Sequence, residues 1–267
     1  MSLVETDWLE KNLSTVKIVD CSWHMPQTKR NGFEEYKSLH IQHSIFFDID
    51  GNSRKDTSLP HMLIDQISWD RIVSNMGIQK NDQIVIYDNS DVLSSCRGWF
   101  NFIYYGHDPK LVNVLNGGLR KWLKEKKKVT DEISKIRISN YKSTERKDLV
   151  KSKKAIDQNI EEKKFKLIDA RSRERFEGKI PEPRKGLRSG CIKNSFCIPF
   201  NNCLNDDKTF KNKNELQKIF KTSLENLKQE NIVFSCGSGV TACVLALAYS
   251  LINDKYLPCI YDGSWAE

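Results

Sequence analysis

Short apolar runs alternate along the chain with segments whose apolar residues recur at helical spacing. Residues 16–21, 44–47, 83–87 and 111–115 read as strands, rich in Val, Ile and Leu and bounded by polar turns. Between and after them, residues 32–40, 67–76, 95–105 and 119–126 read as helices. A second set follows, with strands over 165–169, 195–199, 231–235 and 258–261 and helices over 213–222 and 241–252. Alternation of this kind predicts a mainly parallel sheet with helices packed on its faces. Residues 127–159 are polar, rich in lysine and weakly periodic, and read as a connection between two α/β domains. The expected division is 1–127, a linker over 128–159, and 160–267.

The two halves repeat each other. Ile18-Val19-Asp20 answers Leu167-Ile168-Asp169 at an offset of 149, and the strand ending at Asp88 answers the strand ending at Cys236 at 148. Asn116-Gly117-Gly118 answers Asp262-Gly263-Ser264 at 146. Three separate segments at nearly one offset indicate a duplicated α/β domain. The alignment also sets Cys236 in the second copy against Asp88 in the first. Thiol chemistry at this position is therefore open to one copy only.

Composition narrows the function classes. With 39% hydrophobic and 29% charged residues in 267, and with six Trp, the chain has material for two cores, and disorder is not expected. The longest nearly apolar run, 242–252, is far shorter than the roughly 20 residues of a membrane span. The opening MSLVETDWLE resembles neither a secretory signal nor an Arg-rich leader. A cytoplasmic protein is the first expectation, with the mitochondrion as the alternative. The net charge of +8 comes mostly from lysine clusters around 124–128 and 142–154. Without interleaved aromatics these read as a solvated surface, not a nucleic-acid site, although the positive balance draws small anions. Eight cysteines occur without a CxxC pair, which gives zinc ribbons and dithiol redox pairs no support. Cys191, Cys197 and Cys203 read as idle thiols, and Cys243 and Cys259 as buried structural ones.

Cys236 differs from these in its context. Asn231-Ile232-Val233-Phe234-Ser235 reads as a buried strand running into Cys236-Gly237-Ser238-Gly239-Val240-Thr241 and an apolar helix. A glycine-containing turn here lets successive backbone N–H groups curl around one point, at a helix start that favours negative charge. A cysteine at that point is expected to favour the thiolate, and the same cradle would suit a persulfide anion. Phosphatases that carry a cysteine in such a cradle need an arginine six residues on, and position 242 is alanine.

The loop Cys236–Thr241 resembles that of the tandem-rhodanese sulfurtransferases, specifically the 3-mercaptopyruvate sulfurtransferases. Thiosulfate-preferring members typically carry basic residues where this chain has Gly237 and Ser238. Phe46-Phe47-Asp48-Ile49-Asp50, Pro60-His61-Met62-Leu63, Asp169-Ala170-Arg171, Arg175-Phe176, Pro181-Glu182-Pro183-Arg184 and Tyr261-Asp262-Gly263-Ser264-Trp265 extend the resemblance over almost the whole chain. It implies two tandem rhodanese-like domains of α/β class. It also implies transfer of sulfane sulfur from 3-mercaptopyruvate through a Cys236 persulfide, with no metal or organic cofactor. Arg175 and Arg184 would bind the substrate carboxylate. Asp50, His61 and Ser238 would form a proton relay, and Gly237, Gly239, Val240 and Thr241 would complete the persulfide loop. The acceptor would be cyanide or a thiol such as thioredoxin or glutathione. A thiosulfate:cyanide sulfurtransferase and a catalytically silent rhodanese-like module are the alternatives. The chain departs from the family pattern at Gln42-His43 and Lys193-Asn194, usually Pro-Gly, and at Cys191, commonly histidine. It ends at Glu267, before a further short segment usual in the family, so the last strand is expected to be sparsely covered.

Overall fold

A computed structural model describes residues 2–224 and 231–267. The chain divides into two compact units. One comprises the chain up to Lys55, Leu63–Lys147 and Asp206–Thr209; the other comprises Asp56–Met62, Asp148–Asn205 and Phe210–Glu267.

The first unit contains β1 (Leu3–Val4), α1 (Thr6–Asn12), β2 (Lys17–Asp20), α2 (Gly32–Ser38), β3 (His40–Ile41), β4 (Ser44–Phe46) and α3 (Gln66–Asn75). It continues with β5 (Ile84–Tyr87), α4 (Ser95–Tyr104), β6 (Val112–Leu115), α5 (Gly118–Lys124) and β7 (Val129–Thr130). The second contains β8 (Val150–Lys151), α6 (Lys153–Glu162), β9 (Lys166–Asp169), α7 (Arg173–Phe176), β10 (Phe196–Cys197), α8 (Lys213–Lys221), β11 (Ile232–Ser235), α9 (Thr241–Ser250) and β12 (Ile260–Tyr261).

The repeat read from the offsets is present as topology. The first sheet runs β1-β6-β5-β2-β4 and the second β8-β12-β11-β9-β10, and every pair in both is parallel. Asp20 lies opposite Tyr87 in one sheet as Asp169 lies opposite Ser235 in the other. The central strands are fully buried because helices cover both faces, as a parallel sheet requires. In the first unit Ile18, Val85, Tyr87 and Trp122 pack together; in the second, Ile156, Leu167, Val233 and Tyr261 do. α9 is apolar on all sides and buried from Ala242 to Tyr249, so it lies inside the unit rather than on its surface. Among the described residues no helix is long and apolar enough to cross a membrane.

Regular structure also occupies both ends of the lysine-rich stretch. β7 pairs antiparallel with β3, and β8 forms an edge of the second sheet. α6 starts at Ser152, whose hydroxyl accepts from the Ala155 N–H at 3.3 Å, and it buries only Ile156. Two-residue strands and a helix with one buried side chain leave almost no periodic trace. The expected sparse cover of the last strand is corrected. β12 lies between β11 and β8, with Ile260, Tyr261 and Trp265 all buried. At the two turns that lack Pro-Gly, His43 (φ 66°) and Asn194 (φ 63°) take the left-handed conformation that a glycine would otherwise supply.

Candidate active site

β11 brings Cys236 to the carboxyl end of the second sheet's central strand, where the chain turns sharply into α9. Gly239 supplies the left-handed residue of that turn (φ 78°). Val240, at the N-cap of α9, offers no side-chain acceptor, so no cap competes for the N–H groups at the helix start. Cys236 is 2% exposed, and the Ser238 N–H points at its Sγ from 3.5 Å. From the first turn of α9 the Cys243 thiol donates to the Gly239 carbonyl at 3.2 Å. That contact fits the structural part expected of Cys243.

His61 belongs to the same unit, through the short segment Asp56–Met62. Its ring is buried, and its Nδ1 lies 3.0 Å from the Ser238 hydroxyl and 3.2 Å from the Ser238 carbonyl oxygen. The structure thus brings Cys236, Ser238 and His61 together. Asp50 belongs to the first unit, is exposed, and accepts a hydrogen bond from Trp23 Nε1 at 2.8 Å.

Arg175 projects from α7, whose N-cap Ser172 accepts from the Arg175 N–H at 3.4 Å. Its guanidinium lies against the cysteine loop: a Cβ placed on Gly237 would sit 3.0 Å from Arg175 Nη2. Glycine at 237 is thus what lets the cation approach so closely. Glu182 orients the fork by accepting from Arg175 Nε at 3.2 Å and from Nη2. The same carboxylate accepts from Arg171 Nη1 at 2.8 Å, and Arg171 in turn binds Asp169 at 2.6 Å and the Gly190 carbonyl at 2.8 Å. Burial pushes the Glu182 carboxyl up, but the hydrogen bond and charge of Arg175, with Arg171 behind it, bring it below its ordinary value. Arg171 is fully buried between Asp169 and Glu182. Arg184 is half-buried in the loop that follows Glu182.

Burial accounts for the other thiols of this unit. It pushes Cys197 and Cys259 up to about 11 and Cys203 up to about 12, so all three keep their protons at neutral pH. Exposed Cys191 is also raised, chiefly by desolvation.

Three residues near the loop were missed in the sequence reading of the site. Glu182 was quoted only as part of a motif, yet it bridges both arginines. Trp265 places its ring against the guanidinium groups of Arg171 and Arg188, with distances to the ring centroid of 4.6 and 4.0 Å, and its backbone N–H donates to the Cys236 carbonyl at 3.0 Å. Ser264 accepts from the Cys236 and Gly239 N–H groups at 3.2 and 3.1 Å.

The fold and this site define a duplicated α/β protein with one buried cysteine in a strand-to-helix loop, flanked by a clamped arginine. The sequence matches the rhodanese-like domain family over residues 5–125 and again over 152–267. The chain belongs to the rhodanese-like family, and within it to the two-domain sulfurtransferases. Thiosulfate/3-mercaptopyruvate sulfurtransferase 1, mitochondrial, of Arabidopsis thaliana is 37% identical across 99% of this chain and 75% of its own length. Thiosulfate sulfurtransferase of Rattus norvegicus is 36% identical across 100% of this chain and 91% of its own. Among solved structures, SseA from Escherichia coli, one of the 3-mercaptopyruvate sulfotransferases, superposes with a TM-score of 0.88 at 27% identity, covering both chains completely.

Proposed function

We propose that this sulfurtransferase takes its sulfur from 3-mercaptopyruvate. The Cys236 thiolate attacks the substrate sulfur, the carbon–sulfur bond breaks, the enzyme keeps a persulfide, and protonation at carbon completes pyruvate. A thiol such as thioredoxin or glutathione, or cyanide in an assay, then removes the outer sulfur and regenerates the thiolate. Arg175 and Arg184 hold the substrate carboxylate, which a planar guanidinium can bind through two parallel hydrogen bonds. His61 and Ser238 carry the proton, with Asp50 proposed to orient His61. Gly237, Gly239, Val240 and Thr241 complete the loop that cradles the persulfide anion. Of the two domains, proposed to divide around residues 128–159, only the second carries the nucleophile. The proposed compartment is the cytoplasm, with the mitochondrion as the alternative that fractionation decides.

One observation carries the choice of donor: the Arg175 guanidinium against an uncharged loop at Gly237. A carboxylate-bearing donor gains from that arginine, whereas thiosulfate has no carboxylate and finds no cationic side chain at 237 or 238. Steady-state release of pyruvate from mercaptopyruvate, compared with thiocyanate formation from thiosulfate and cyanide, tests the assignment. Mercaptopyruvate is expected to give the higher kcat/KM. A higher value for thiosulfate would replace this reading with that of a thiosulfate:cyanide sulfurtransferase.

A further inference from the structure

We propose that Ser264 is a positioning residue for the sulfur-carrying loop. Its hydroxyl, presented by a left-handed backbone, holds the Cys236 and Gly239 N–H groups and fixes the curl that turns the N–H groups between them toward the Cys236 sulfur. The inference rests on the reading of Cys236 as the sulfur carrier.

The two copies of the domain carry the argument. Gly118 and Ser264 correspond at the offset of 146 and share a left-handed φ, 56° and 54°. The next residue makes the same contact in each: the Leu119 N–H binds the Asp88 carbonyl at 2.9 Å, and the Trp265 N–H binds the Cys236 carbonyl at 3.0 Å. Left-handed backbone favours glycine, and the first copy has one. The second copy keeps the conformation with a side chain present, and it does so beside the nucleophile. A strained residue held at one site and avoided at its twin points to a use for its side chain.

The use is visible in where the loop's N–H groups go. In the first copy Asp88 itself collects them, its carboxylate accepting from Ser90 N–H at 2.7 Å and Ser95 N–H at 2.8 Å. Cysteine at the matching position has no carboxylate to offer. The Ser238 N–H, counterpart of the Ser90 N–H, turns to the Cys236 sulfur instead, and Ser264 Oγ anchors the loop at two other points, accepting from Cys236 N–H at 3.2 Å and Gly239 N–H at 3.1 Å while donating to the Tyr261 carbonyl at 2.8 Å. One donor and two lone pairs are the whole capacity of a hydroxyl, and all are used. Ser264 is 1% exposed, so these bonds are shielded from bulk solvent. With the loop pinned at residues 236 and 239, the Ser238 N–H between them faces Sγ.

The test uses the full chain with Ser264→Gly and Ser264→Ala. Glycine suits the backbone as it does at 118, so the first variant removes the hydroxyl without adding strain. Four quantities are read: Tm, KM for mercaptopyruvate, kcat, and the lifetime of the persulfide by intact mass after the donor is removed. Ser264→Gly is expected to fold with a lowered Tm, because two buried N–H groups lose their acceptor, and to keep its KM, because the arginine clamp is untouched, while kcat falls about tenfold or more and the persulfide decays faster. Ser264→Ala should follow it in kcat and persulfide lifetime. Wild-type kcat and persulfide lifetime in Ser264→Gly would overturn the proposal, and so would a glycine variant that does not fold, since the hydroxyl would then serve stability alone. A Cys236→Ser chain that still accumulates sulfur would instead remove the reading of Cys236, and this inference with it.

Discussion

Arg175→Ala is expected to damage mercaptopyruvate turnover selectively, and the structure bounds the size of the effect. A guanidinium has five N–H donors, and Glu182 takes two of Arg175's, through Nε and Nη2. The rest allow about one bidentate contact with a substrate carboxylate. Hydrogen bonds to charged groups contribute roughly 1.5–3 kcal/mol, so the loss in kcat/KM should be about 10- to 150-fold. Folding should be little affected. Glu182 keeps the Arg171 bond at 2.8 Å after the truncation, so no buried carboxylate is stranded. Arg175→Lys should recover only part of the activity, because an ammonium reproduces neither the planar fork nor its bidentate hold on Glu182. The assay is kcat/KM for mercaptopyruvate and thiosulfate in wild type and both variants, with Tm as the control. Thiosulfate should fall less, having no carboxylate to lose. Wild-type efficiency on mercaptopyruvate in Arg175→Ala, or an equal loss on both donors, would refute the role of the clamp.

Three further outcomes follow from named contacts. His61→Ala should lower kcat by about 100-fold or more, beyond what any loss of folded protein explains, because Ser238 loses its imidazole partner; unchanged kcat would exclude a proton relay through His61. Burial pushes the Asp20 carboxyl up to about 6, so the folded state holds its proton longer than the unfolded chain does, and stability should decline as pH rises from about 4 to 6. Asp20→Asn should remove up to about 3 kcal/mol of that decline while keeping an oxygen for the Ser22 N–H, and denaturant titrations across this range showing the same slope in both proteins would contradict it. Gly118→Ala should destabilise the chain, because a Cβ there meets the Asp88 carbonyl at 2.4 Å on a backbone with φ 56°; an unchanged Tm would show that the turn can relax.

Much of this molecule was legible because its central strands are buried on both faces. Each reads as an unbroken apolar run, so all eight strands placed from the sequence coincide with observed strands, most extending a residue or two beyond them. The elements that escaped are those whose stability is not written in their own residues. β1, β3, β7 and β8 are two residues long and exist because a neighbouring strand offers them hydrogen bonds. α7 has four residues and begins at Ser172, a cap that is common in turns as well. At the site, Cys236 was visible from its glycine loop, while the proximity of His61 to Ser238 spans 177 positions and leaves no local pattern. Glu182 was hidden for a different reason. A glutamate between two prolines in a loop looks solvated, and only the fold shows it buried between two arginines. Ser264 had a signal. Its alignment with Gly118 set a serine where the twin has glycine, and a residue that accepts strain its twin avoids is worth asking about.

The central claim is that sulfur passes through a persulfide on Cys236, and the most direct measurement is the intact mass of the full chain after brief exposure to mercaptopyruvate. Wild type should gain the mass of one sulfur atom and lose it on adding a thiol, while Cys236→Ser should gain none. Cys191→Ser and Cys203→Ser should behave as wild type. Sulfur retained by Cys236→Ser, or a wild type that releases pyruvate without gaining mass, would contradict the account.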